Sequence, residues 1–183
     1  MTPDCRSPTA LSIVQRLAVA YGQFSNLFRV VQTGHNMPSC LNSLLVMSPK
    51  TMEIIGQCQG HGLDPHYLGY FECFNQQLFY EAHEALEYLW LPARRRPEGA
   101  FYKGLIQLAG AFVHLQRRRF QPATALLRLA EENLESYPPV YLQLNIRSVL
   151  SLIETWRNKI DSIEFQQKLF SAVPPPNLHL SKA

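Results

Sequence analysis

From residue 64 onward, apolar positions recur every three or four residues in segments separated by Pro, Asn and polar loops. Asp64-Pro65 predicts the first helix start, with Asp as N-cap and Pro preset for the first turn. Tyr67, Tyr70, Phe71 and Phe74 give its buried face, and Asn75 closes it. A second helix follows from about 77 to 91 and stops before Pro92. The third, about 98 to 118, is apolar nearly all round and therefore central. A fourth begins near Pro122, with Leu126, Leu127, Ala130 and Leu134 inward, and ends at Tyr137-Pro138-Pro139. A fifth, about 145 to 159, buries Ile146, Val149, Leu150, Ile153 and Trp156. Asp161 with Glu164 forms a capping box, and Ile160 with Phe165 a hydrophobic staple, so a sixth starts there. No run alternates like a strand. The pattern predicts an all-α fold, a single compact bundle of five to six mostly antiparallel helices.

The ends read differently. Residues 1–52 hold one acidic residue, Asp4, and the helical pattern over 10–32 dissolves beyond Gly34. Residues 1–60 are thus predicted to be an N-terminal extension, 61–172 the helical domain and 173–183 a stiff, exposed Pro-rich tail. The extension has the composition of an organelle transit peptide. The preferred reading is an over-extended gene model, with Met47 or Met52 as the start. Gln15, Arg16 and Gln23 interrupt any secretory signal core.

Two polar lines cross these apolar helices. On the second helix His83 shares a face with Phe79, Leu86 and Trp90. At about 100° per residue, Glu87 lies about 40° from His83 and Glu84 near the edge of that face, while Glu81 points away. On the third helix Lys103, Gln107, Gly110, Ala111 and His114 form one narrow stripe. Buried polar groups need partners, so the two lines are predicted to face each other. Gly110, with no side chain, would let the neighbouring backbone approach closely. The candidate ligand-binding set is His83, Glu84, Glu87, Lys103, Gln107 and His114. His83, Glu87 and His114 are the candidate metal ligands, and a divalent metal is the cofactor such a set would take. The alternative is a buried hydrogen-bonded network that fixes helix register. His-Glu-x-x-His fails because Glu87 stands in the last position, and the repeated Glu-x-x-His of di-iron bundles is absent.

Composition narrows the function classes. Apolar residues make up 46% and charged residues 17%, and the net charge is only +3, so neither nucleic acid nor membrane is an obligate partner. No apolar run spans a membrane. Arg94–Arg96 and Arg117–Arg119 stand roughly 30 Å apart along the third helix at 1.5 Å per residue, with no interleaved aromatics, which argues against nucleic acid. Cys5, Cys40, Cys58 and Cys73 lack zinc spacing and read as reduced thiols, which predicts a cytoplasmic protein. No phosphate loop, serine elbow or paired cysteine nucleophile is found, and whether the chain is an enzyme stays open. The third and fourth helices have the small-residue spacing of one tetratricopeptide hairpin, too few for a solenoid. A protein partner or a homo-oligomer therefore stays open too.

Phe74-Asn75, Phe79-Tyr80-Glu81-Ala82-His83-Glu84, Leu86-Glu87 and Trp90 form one string, and Lys103 to Ala111 with His114-Leu115-Gln116 a second. Together they resemble the signature of the domain of unknown function 309 family. The likeness runs from about 70 to 138 and weakens to about 157. It implies a small all-helical domain, mainly bacterial and archaeal with plastid relatives, and no assigned activity. The signature residues carried over are Asn75, Glu81, His83, Glu84, Glu87, Trp90, Lys103, Gln107 and His114. The break between the first two helices often carries Gly in the family. Gln76-Gln77 stands there in this chain.

Overall fold

The computed structural model describes residues 47–60, 62–162 and 176–181. The chain divides into two units, Met1–Val46 and Met47–Ala183, and the described residues belong to the second. They form six helices: α1 (Pro49–Gln57), α2 (Pro65–Asn75), α3 (Phe79–Ala93), α4 (Glu98–Gln116), α5 (Phe120–Leu134) and α6 (Ile146–Ile160). Between α5 and α6 lies a hairpin, β1 (Val140–Tyr141) and β2 (Leu144–Asn145). The architecture is an all-α bundle with α4 at its centre. Nearly every residue of α4 from Gly104 to Leu115 is buried. No described helix is long and apolar enough to cross a membrane.

An aromatic seam fixes the packing. Phe112 of α4 stacks on Phe79 of α3 at 5.0 Å between centroids. It meets Phe74 of α2 at 5.4 Å and Trp156 of α6 at 4.8 Å, both edge-on. Such pairs add to the burial of large rings, which is the main driving force here. Tyr70 is fully buried and donates to the Leu105 carbonyl at 2.9 Å, tying α2 to α4. Helix α4 admits a close neighbour at Gly104. A Cβ there would lie 2.7 Å from Leu134 Cγ and 3.3 Å from the Ala130 carbonyl oxygen, so α5 is the helix that comes close.

Helix ends follow from local chemistry. Asp64 caps α2 as predicted, accepting from the His66 amide at 2.8 Å. Helix α2 ends with the amide of Gln77 on the Phe74 carbonyl and that of Leu78 on the Cys73 carbonyl. This double bond closes the helix with Gln77 in the left-handed region, φ 62°. Helix α4 ends the same way, with Arg118 at φ 55° and the amides of Arg118 and Arg119 on the Leu115 and His114 carbonyls. The second arginine triplet is thus a helix terminus.

Several expectations are corrected. Residues 49–57, placed by composition in the extension, are helix α1, with Thr51, Ile54 and Ile55 buried. Helix α3 runs through Pro92 instead of stopping before it, because Pro92 lies in the last turn beside the exposed Tyr88. The hairpin gave no strand signal because its turn, Leu142-Gln143, takes positive φ (45° and 63°) without Asn or Gly. The Tyr67 hydroxyl donates to the Leu142 carbonyl at 3.1 Å and holds that turn from α2. The tail is not a free stiff segment over 176–181: Leu178 is buried and Leu180 pairs antiparallel with Leu144. The sixth helix predicted beyond Asp161, and the helix predicted over 10–32, lie outside the described residues.

Candidate functional site

Helix α3 carries four polar side chains on one sector. Tyr80, His83 and Glu87 are half-buried and Glu84 is buried. His83 Nδ1 stands 3.9 Å from Glu87 Oε2, and their side chains are 18% and 26% exposed. The Tyr80 ring lies nearly parallel to His83, 6.3 Å away. Burial first, then the Glu84 carboxylate that it hydrogen-bonds, push the Tyr80 phenol up to about 12.

Glu84 departs from its sequence placement at the edge of the face. Its Oε2 accepts from the Thr51 hydroxyl at 2.7 Å and from the Ser48 amide at 3.2 Å. Ser48 is the N-cap of α1 and its Oγ accepts from the Thr51 amide at 3.2 Å. A carboxylate at that terminus satisfies an amide left free by helix geometry and complements the positive end of the helix dipole. Glu84 therefore fastens α1 to α3. Ser48-Pro49 carries the same cap-then-proline signal as Asp64-Pro65. The signal is legible but sits inside acid-poor sequence.

The second line does not converge as a unit on the first. Lys103 is exposed. Gln107 is 7% exposed, and its Oε1 accepts from Asn133 Nδ2 of α5 at 2.9 Å. Gln107 thus points to α5, the helix that Gly104 also admits. His114 is 2% exposed, near the end of α4. Among the described residues no group of three or more His, Cys, Asp or Glu side chains could hold a metal ion. Two surface grooves, of about 360 and 560 Å³, are lined by none of the six candidate residues. Cys58 and Cys73 are free thiols, and burial pushes Cys73 up to about 12, far from a working nucleophile.

Asn75 has a contact that no sequence pattern announces. Its Nδ2 donates to the Leu178 carbonyl at 2.9 Å and its Oδ1 accepts from the Leu178 amide at 2.8 Å. One side-chain amide thus holds both main-chain groups of one residue.

Residues 67–126 match the family model described as a domain of unknown function (DUF309). Over these residues the chain is similar to the DUF309 family. The matched segment takes in nearly all of α2, all of α3 and α4, and the first half of α5, with Asn75 and all six candidate residues inside it. Helix α1, the hairpin, α6 and residues 176–181 fall outside it. No curated protein and no solved structure matches the chain.

Proposed function

We propose that the DUF309 domain of this chain is a non-enzymatic helical interaction module whose signature polar residues hold its elements together. The observation that carries this reading is the Glu84 contact, in which the one buried carboxylate of α3 is taken up by two donors of α1. Gln107 and Asn75 repeat the arrangement toward α5 and toward Leu178. Buried polar groups satisfied by neighbouring elements specify packing. Metal analysis of the chain purified without a His tag tests it. The expected content is below one tenth of an equivalent of any divalent metal. A stoichiometric metal lost in His83→Leu would overturn it.

A second reading rests on the half-open His83–Glu87 pair beside Tyr80. A carboxylate next to an imidazole can share a proton with a small polar ligand. In that case His83→Leu would stay folded while losing a ligand-induced rise in melting temperature that the wild type shows.

A further inference from the structure

Residues 176–181 run along α2 and the hairpin as an extended segment bridged at Leu180. Burial alternates along them: Pro176 and Leu178 are buried, Leu180 is half-buried, and Asn177, His179 and Ser181 are exposed. That period of two is what an extended segment shows when one face is seated. Every main-chain anchor of the segment comes from the body of the domain. Asn75 takes the amide and carbonyl of Leu178, Leu180 bridges Leu144 of β2, and the Ser181 amide donates to the Gln143 carbonyl at 2.7 Å.

We propose that α2 and the β2 edge form a docking groove for extended peptides carrying two leucines at alternate positions, occupied in this chain by its own residues 176–181. The proposal rests on reading the domain as an interaction module and names where and what it binds. Three observations carry it. The groove reads main chain, through a side-chain amide and a strand edge, and such contacts do not depend on the bound sequence. Sequence enters at the leucines: Leu178 is 5% exposed, and the alternate position puts Leu180 on the same face. Open space also borders the seated segment: a groove of about 560 Å³ is lined by Leu68, Phe71 and Asn75 on one side and by Leu178 and Leu180 on the other. The reader, Asn75, lies within the segment that matches the family model, whereas residues 176–181 lie outside it. The α2 part of the receptor thus lies in the matched segment, whereas the β2 edge and the occupant lie outside it. The partner this fits is a protein with an exposed, extended Leu-x-Leu segment.

A tethered occupant competes with a free one at an effective concentration in the millimolar range. Fluorescence anisotropy of a labelled peptide reproducing residues 176–181 is therefore measured on the full chain and on its Leu178→Asp variant. Releasing the tethered segment is expected to tighten peptide binding at least about tenfold. Adding Asn75→Ala to Leu178→Asp is expected to abolish it, as is Leu178→Asp in the peptide itself. Affinities equal within twofold for the two chains, or binding that survives Asn75→Ala, would overturn the proposal. Should Leu178→Asp fail to fold, hydrogen exchange on the unaltered chain decides. Peptide at several millimolar is expected to speed exchange of the Leu178 and Ser181 amides, and unchanged protection overturns the groove. Failure here leaves the Glu84 contact and the metal result untouched, so it is separable from failure of the module reading.

Discussion

The polar stripes of α3 and α4 look alike in sequence and are used differently. On α4, Gln107 and His114 are 7% and 2% exposed, and Gln107 is bonded to α5. On α3, His83 and Glu87 remain 18% and 26% exposed, and only Glu84 is drawn inward, by α1. The difference comes from neighbours. Helix α4 is central, so its polar line is covered everywhere but at its exposed first member, Lys103. Helix α3 is peripheral on that side, and only as much of its line is buried as the short α1 covers. A polar stripe therefore records that a helix face needs partners. It does not record which element supplies them.

That distinction sets what was legible. Helix positions followed from apolar periodicity and caps, and α2, α4 and α6 fall within about two residues of their predicted bounds. The all-α class followed with them. The pairing of the two stripes was not legible, because period places residues on a face without saying which helix that face meets. Helix α1 was hidden by composition, although Ser48-Pro49 announces it. The hairpin turn and both left-handed helix ends use Leu, Gln and Arg where Gly or Asn is the usual signal, so their geometry depends on tertiary contacts. Asn75 read as a helix end. Its grip on Leu178 spans 103 residues of chain, which no local pattern encodes.

The comparison of the stripes can be broken most forcefully at the seam they flank. Phe112→Ala removes a fully buried ring that touches α2, α3 and α6, and is expected to cost about 3–5 kcal/mol in urea denaturation. A cost near 1 kcal/mol would mean that the seam collapses around the gap.

Within α3 the comparison sharpens to two glutamates one turn apart. Glu84→Ala takes the shared carboxylate away from the Ser48 amide and the Thr51 hydroxyl and should cost about 1.5–3 kcal/mol. Glu87→Ala, in the open part of the stripe, should stay within about 0.5 kcal/mol of wild type. Equal costs would erase the distinction between the buried and the open carboxylate.

Where α2 hands over to α3, Gln77→Gly should stabilise by up to about 1 kcal/mol, because a left-handed residue other than Gly carries a steric cost. Destabilisation would show that the Gln77 side chain contributes more than its backbone costs.

The smallest effect is in pH. Tyr80 is held above its ordinary value of 10, up to about 12, so the folded state keeps a proton that the unfolded chain has lost. Its contribution is complete below about pH 10 and declines as pH rises toward 12. Tyr80→Phe should flatten part of the alkaline fall in melting temperature. An unchanged slope would detach Tyr80 from Glu84.

If signature polar residues act through neighbouring elements, Thr51 and Glu84 are energetically coupled across the α1–α3 contact. A double-mutant cycle of Thr51→Val and Glu84→Ala, read by urea denaturation, should give a coupling of about 1 kcal/mol or more, since each partner acts through the other. Additive costs, with coupling below about 0.3 kcal/mol, would contradict it.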